Sequence, residues 1–217
     1  MSNSNLKPLV VLGGGGHASV LVDLLRAQQR EIRAVICPDD LGARAAFAGL
    51  THFTDDDDVF QFSPEEVLLV NGIGALPQST LRQKLSEYFI AHGYRFETVV
   101  ALSAQVSPYA KLEAGVQVFP NAVIQAGVMI GSHSIINTGA IVEHDCVIGP
   151  FNHLAPRATL CGQVQTAGNV YIGAGATVIQ NINLAENVVV GAGAVINQNV
   201  LPSQVCYPGR VTFKSSK

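Results

Sequence analysis

Read from Val106, every sixth residue is an aliphatic anchor: Leu112, Val118, Ile124, Ile130, Ile136, Val142, Ile148, Leu154 and Leu160. The series lapses at Thr166 and resumes with Ile172, Val178, Leu184, Val190 and Ile196. The register covers residues 106–201, sixteen hexads without an insertion. Small or compact residues stand four places after many anchors, among them Ala110, Ala122, Ser134, Ala140, Cys146, Ala158, Ala176 and Ala194. A sustained six-residue period predicts a β-helix. The span Ala114–Val142 carries no Asp, Glu, Lys or Arg. It is still not a membrane span, because it holds Pro120, Asn121, Gln125 and Asn137 and its period is six rather than 3.6.

The first hundred residues follow another rule. Leu9–Leu12 is a short apolar run, and so a buried strand. Four glycines follow, Gly13 to Gly16, and then a helix from His17 to about Gln29 with Val20, Leu21, Leu24 and Leu25 on one face. Ile32–Ile36 and Val67–Val70 read as further strands, the latter followed by Asn71-Gly72-Ile73-Gly74. Ser79 to about His92 reads as an amphipathic helix with Leu81, Leu85, Tyr88 and Phe89 on its apolar side, stopped by Gly93. Phe96–Val100 reads as the last strand of this unit. Strands alternating with helices predict a parallel sheet with crossover helices. The expected division is an α/β domain at 1–101, the hexad array at 106–201 and a tail at 202–217.

Composition narrows the setting. Charged residues are 13% of the 217, against about 25% in an average soluble chain, as a charge-free repeat interior requires. A net charge of −3 argues against a nucleic-acid footprint. Cys37, Cys146, Cys161 and Cys206 show no CxxC spacing, and reduced thiols in a cytoplasmic protein are expected. Met1–Asn5 is polar and the apolar run after it is short, so no secretory leader is expected. The acidic run Asp55–Asp58 reads as a solvated loop without a function.

The glycine turn carries the first candidate chemistry. Glycine lets a backbone approach a phosphate, and free N–H groups at a helix start favour an anion. Gly13, Gly15 and Ala18 satisfy G-x-G-x-x-A, and Asp39 and Asp40 follow where an acidic residue can hold a ribose hydroxyl. A doubly wound dinucleotide domain needs two such halves, whereas this unit is one. A nucleotide-sugar is therefore expected, held by Gly15, Gly16, His17, Asp39, Asp40 and Gly74. His17 is expected to donate a hydrogen bond to a phosphate or to the sugar.

Gly15-Gly16-His17, the βαβ unit, the uninterrupted hexads, and the run from Asn137 through Glu143-His144-Asp145 to His153 resemble the sialic-acid/bacillosamine-type sugar acyltransferases. The resemblance covers almost the whole chain. It implies an α/β, Rossmann-like N-terminal domain followed by a left-handed parallel β-helix of three hexads per coil, assembled as a homotrimer. It implies acetyl-CoA as co-substrate, no metal, and as acceptor the 4-amino group of a UDP-linked amino sugar destined for a surface glycan. With eighteen residues per coil, His144 stacks between Ala126 and Gly162 at a corner, in the third place of its hexad. A histidine there is suited to take a proton from the attacking amine. The family pattern gives the orienting role to Asp145, with Glu143 second. His153 stands half a coil away, unable to meet His144 within one chain but able to face a neighbour's corner. By resemblance His153 contacts CoA, and Gly162, Gly173, Ala174 and Ala192 are small places for its pantetheine arm.

Some residues stay unassigned. Asn152 is expected to turn inward and hydrogen-bond, His133 has no role, His52 and His92 read as surface residues, and Thr166 has no account. Arg210 or Lys214 could meet the CoA 3′-phosphate. Three other functions compete. An O-acetyltransferase acting on sialic acid or another sugar hydroxyl would use the same residues. A zinc β-helix hydratase of the carbonic-anhydrase type needs three protein ligands, but the gaps 133 to 144 and 144 to 153 give no close His pair. A scaffold with a nucleotide sensor would bind nucleotide without turnover.

Overall fold

The computed structural model describes residues 6–42 and 44–209. Arg210, Val211 and Lys214 lie outside the described residues, and the tail contact with CoA with them.

The N-terminal unit is a four-stranded parallel sheet in the order β3-β2-β1-β4. The strands are β1 (Leu9–Leu12), β2 (Ile32–Ile36), β3 (His52–Phe53) and β4 (Leu68–Asn71). β1 is central and buried on both faces, which is why it is an unbroken apolar run. Helix α1 (Gly16–Ala27) crosses from β1 to β2 and buries Ala18, Leu21, Val22, Leu24 and Leu25, while Val20 is exposed, contrary to expectation. β3 is two residues long and left no pattern to read. It half-buries His52, whose Nε2 meets the Cys37 carbonyl at 2.9 Å, so His52 is not a free surface residue.

Helix α2 (Leu81–Ala91) is turned relative to the sequence reading. Its buried positions are Arg82, Ser86 and Phe89, while Leu81 and Tyr88 are exposed. The cause is polar. The Arg82 guanidinium donates to the carbonyls of Asn71 (2.9 Å), Ile73 (2.6 Å) and His133 (3.4 Å). Asn71 Nδ2 in return donates to Ser86 Oγ at 2.9 Å and to the Arg82 carbonyl. A buried polar group must be satisfied, and these bonds hold the Arg82–Ser86 stripe inward.

The expected last strand of this unit divides. Phe96 makes one parallel bridge to Leu69, but β5 (Val99–Val100) pairs with Gln117–Val118 and opens the β-helix. From there to β22 (Val205–Cys206) the chain winds a left-handed prism with three parallel sheets as faces. Partners are eighteen residues apart, as in Ile135 with His153 and Ile141 with Thr159. The last coil is two residues tighter, with Val189 paired to Val205 and Leu184 to Val200.

Anchors and the small residues four places later form one buried core running the length of the prism. Each buried aliphatic anchor contributes about 1.5–3 kcal/mol. Three places after each anchor the backbone turns a corner with positive φ, at every hexad from Gly115 to Gly193. Glycine, asparagine or aspartate fills ten of these fourteen corners, because their backbones enter the left-handed region at least cost. His133, Phe151, Arg157 and Gln163 are the exceptions.

Thr166 now has a role. Its Oγ1 accepts hydrogen bonds from Asn152 Nδ2 at 2.5 Å and from Gly149 N at 3.2 Å. Asn152 Oδ1 accepts from Val170 N, and Ser134 Oγ bridges Asn152 N to the Gly149 carbonyl. Asn152 turns inward as expected, and it needs a hydroxyl where the register would place an aliphatic side chain. The four cysteines are free thiols. Among the described residues no helix is long and apolar enough to cross a membrane.

Candidate active site

The α/β unit packs on one face of the prism, the seven-stranded sheet that begins with β5. On this face the residue before each anchor points outward, and the register stacks these positions in one column: Val99, Gln117, Ile135, His153, Tyr171 and Val189. The α/β unit covers the lower column, so Gln117 is 1% exposed and His153 7%. Rungs are about 4.8 Å apart, which sets His153 about 10 Å along the axis from Gln117.

Two cavities meet beside this column. One, of about 550 Å³, is lined by Gly13 to His17, Asp39, Asp56, Gly72 to Leu76, Leu81 and Leu85. The other, of about 320 Å³, is lined by Ala75 to Thr80 without Pro77, together with Phe151, His153, Asn169 and Tyr171. Ala75 and Leu76 line both, so the two are adjacent.

The glycine turn divides by purpose. Gly13 has φ +101° and Gly14 is pressed on Leu41 and Cys37, so both are fixed by the turn itself. Gly15 and Gly16 are exposed with open space around the place of a side chain, at the start of α1, and both line the cavity. Such a start favours a phosphate. Gly74 lies against His17 Cβ. Asp39 lines the cavity, whereas the Asp40 carboxylate accepts from Gly42 N in its own turn. Asp56 also lines the cavity, although the sequence reading gave the acidic run no function. Burial, with Asp55 and Asp57 beside it, raises its pKa.

His17 Nε2 lies 2.8 Å from Gln117 Oε1, and its ring lies 5.0 Å from Phe119. His153 Nε2 accepts from Asn137 Nδ2 at 3.2 Å, since Asn137 Oδ1 is already taken by Thr138 N. The proton of His153 is therefore on Nδ1, which is buried without a hydrogen bond of standard geometry although the Ala75 backbone is near. Tyr171 packs edge-on to the His153 ring. Burial and then the Arg82 cation hold His17 and His153 down to about 4, so both are neutral at pH 7. Burial pulls Arg82 itself down to about 9. His133 is not a site residue. It is buried between Phe96 and Phe151 and lies over Gly115.

His144 and Asp145 stand elsewhere, on the prism edge between the two other faces, opposite the face that carries the α/β unit. His144 Nδ1 lies 2.9 Å from Asp145 Oδ2, so the carboxylate contact is direct. Their side chains are 60% and 58% exposed. An ionised aspartate only accepts, so Nδ1 carries a proton, and in the neutral ring Nε2 is the nitrogen with the lone pair. That Nε2 lies over Gly162, where a Cβ would sit 2.6 Å from it. Gly127 one coil below is likewise covered by the Asp145 carboxylate. The Glu143 carboxylate makes no hydrogen bond or ion pair among the described residues.

The structure thus gathers Gly15, Gly16, His17, Asp39, Gly74 and His153, and sets His144 with Asp145 apart. Gly162 is buried under the imidazole, and Gly173 is buried against the backbone of Gly191 and Ala192, whereas Ala174 and Ala192 are exposed. Arg82 and Gln117 were missed in the sequence. Arg82 was hidden by a stronger apolar stripe on its helix. Gln117 occupies an outward place that only the docked α/β unit buries. Among the described residues no three His, Cys, Asp or Glu are grouped to hold a metal ion.

No family model matches the chain. A GDP-perosamine N-acetyltransferase of Escherichia coli O157:H7 is 30% identical over 106 residues, which are 49% of this chain and 48% of that protein. The matched region thus spans about half the length of that relative. The acetyltransferase domain of PglB from Neisseria gonorrhoeae FA1090, solved with acetyl coenzyme A, superimposes with a TM-score of 0.82 at 28% identity, covering 93% of this chain and 96% of that one. A histidine-to-alanine variant of GDP-perosamine N-acetyl transferase from Caulobacter crescentus, solved with CoA and GDP-perosamine, gives 0.80 at 30% identity, covering 97% and 98%. With the prism, the glycine turn and these relatives together, the chain belongs to the bacterial sugar acetyltransferases of the hexapeptide-repeat family.

Proposed function

We propose that this protein moves an acetyl group from acetyl-CoA to the amino group of a nucleotide-linked sugar, for a surface glycan. The site is shared between subunits of a homotrimer. The observation that carries the reading is the division of the histidines. His17 and His153 border the cavities on one face, and the His144–Asp145 pair stands on the opposite edge of the same prism. One chain cannot close this site, so a neighbouring copy supplies the edge.

The nucleotide diphosphate lies at Gly15 and Gly16, with the ribose toward Asp39. The sugar runs along the column past His17 toward His153. The partner copy's His144 takes a proton through Nε2 as the amine attacks the thioester carbonyl. Asp145 holds the proton on Nδ1 and stabilises the imidazolium that forms. The C–S bond then breaks, and the CoA thiolate takes up a proton as it leaves. His153 borders the cavity that receives the thioester arm, with its Nδ1–H turned inward beside the Ala75 backbone. The exposed Ala174 and Ala192 leave room for that arm, and Gly162 and Gly173 act by keeping the His144 ring and the coil backbone in place.

Nitrogen rather than oxygen as acceptor is supported by relatives named for N-acetylation. A UDP-linked 4-amino sugar is the acceptor proposed from the sequence. A GDP-linked one is the second reading, favoured by the GDP-perosamine in those relatives' names.

Thiol release from acetyl-CoA with UDP-, dTDP- and GDP-amino sugars and free sialic acid tests the acceptor, and turnover with sialic acid alone would remove the amino sugar. Complementation tests the shared site. Gly15→Glu places a charge at the phosphate turn, and His144→Ala removes the base. Each variant should be inactive as a homo-oligomer, and mixed oligomers should recover activity. Inactivity of the mixture in a verified hetero-oligomer would place the site within one chain.

A further inference from the structure

The seam between the α/β unit and the prism holds a hydrogen-bond chain with only one consistent direction. The Asn71 carbonyl is a pure acceptor and receives Arg82 at 2.9 Å. It also receives the Gln117 amide nitrogen at 2.7 Å, which fixes the orientation of that amide. Gln117 Oε1 therefore faces His17 Nε2, at 2.8 Å. An amide oxygen can only accept, so Nε2 must carry the hydrogen. Among the described residues the other ring nitrogen, Nδ1, makes no hydrogen bond, and it is not a buried orphan atom, so it keeps accessible surface on a ring that lines the cavity.

We propose that Gln117 is a positioning residue that locks His17 in the Nε2–H tautomer, leaving Nδ1 as a bare acceptor that selects a hydroxyl or amine N–H of the bound sugar. The consequence for a ligand rests on the proposed function; the lock itself does not. It replaces the sequence expectation that His17 donates to a phosphate or to the sugar with one in which it accepts from the sugar. A neutral ring with a lone pair facing the cavity repels a phosphate oxygen and welcomes a donor. The surroundings act in the same direction. Burial and then the Arg82 cation on α2 disfavour the imidazolium that would turn Nδ1 into a donor, and His153 on the prism adds to this only when it is itself protonated. Phe119 closes one side of the ring and Gly74 leaves room beside its Cβ. Discrimination then comes at the hydrogen-bond level. A ligand that presents a donor to Nδ1 is held, and one that presents an acceptor leaves the nitrogen unpaired.

The test reads the tautomer directly. Long-range proton–nitrogen correlation on the full-length, histidine-labelled protein at pH 7 should show His17 protonated on Nε2 alone, with the His17→Asn variant identifying its signals. Gln117→Met keeps the length, and Asn71 keeps its bond from Arg82, so no carbonyl is orphaned. This variant should release the lock and show both tautomers. It should lower kcat/KM for the sugar nucleotide by roughly tenfold, the worth of one hydrogen bond, with the KM for acetyl-CoA unchanged. Gln117→Glu should charge the ring and cost more than Gln117→Met. A wild-type His17 protonated on Nδ1, or Gln117→Met with tautomer and kinetics unaltered, would overturn the proposal. Absence of turnover by the wild type with any amino sugar would instead sink the function, and the spectra would still decide the lock.

Discussion

His144 shows how a single residue acquires a direction. The sequence places it on a corner between Ala126 and Gly162, and the structure adds which nitrogen faces which neighbour. Asp145 holds Nδ1, so Nε2 is the nitrogen left for the proposed base role, and it lies over Gly162. Gly162 has no positive φ, so its backbone would accept alanine without strain. The added methyl would meet Nε2 at 2.6 Å and Cε1 at 2.7 Å. The ring must swing out, and the Asp145 contact goes with it. Gly162→Ala should therefore fold with a near-normal melting temperature and lose about 10²-fold in kcat, the scale of a misplaced catalytic group. A kcat within twofold of wild type would show that the ring is not held there during turnover. The contact is well exposed, and the charge pair that forms when the ring takes a proton is worth at most about 1 kcal/mol, so Asp145→Asn should cost only about fivefold in kcat. Asparagine is also at home at the positive φ of 59° that Asp145 adopts, so the variant isolates charge from backbone.

At the scale of elements, what the sequence revealed depended on whether an element's environment was periodic. The prism was legible because its interior repeats every six residues, and each anchor sees the same surroundings as the last. α2 was misread because its buried face is set by carbonyls at the end of β4 and on the prism, which no helical period encodes. The covered column was invisible for a similar reason. Gln117 and His153 occupy outward places that are exposed wherever nothing docks, and only the position of the α/β unit makes them buried. Thr166 is the instructive lapse. Pattern alone would restore an aliphatic residue there. The structure predicts the reverse: Thr166→Val keeps the shape but leaves Asn152 Nδ2 without its partner inside the prism. That should cost about 1–3 kcal/mol, which at roughly 2–4 °C per kcal/mol is a clear fall in melting temperature. A rise in melting temperature would mean that the hydroxyl is incidental. Coupling between Thr166→Val and Asn152→Ser in a double-mutant cycle would attribute the loss to this pair.

The whole molecule is two folding patterns joined at a polar seam, and its response to acid follows from the groups placed there. Arg82 sits at the centre, and among the described residues its guanidinium bonds are all to carbonyls. Around it stand His17, His133 and His153, each pushed from 6.5 to about 4, first by burial and then by the arginine. In the unfolded chain these rings bind protons below about pH 6.5. In the folded protein they resist until about pH 4. Between those values the unfolded state binds more protons, so stability rises with pH across the window. It is fully present above pH 6.5 and is lost as the pH falls toward 4. The loss has a location, because all three rings lie between the α/β unit and the prism. Acidification should loosen the seam before it melts the apolar interior of the coils. Hydrogen exchange corrected for its slower intrinsic rate in acid should therefore give lower protection factors in residues 71–76 and 81–91 at pH 5 than at pH 7, with the interior strands of the prism still protected. Replacing His133 with phenylalanine, which can stack on Phe151 and meet Phe96 edge-on as the ring does now, should flatten the acid limb of the melting curve. A melting temperature independent of pH between 6.5 and 4.5 in the wild type would show that these histidines are not held neutral by the fold.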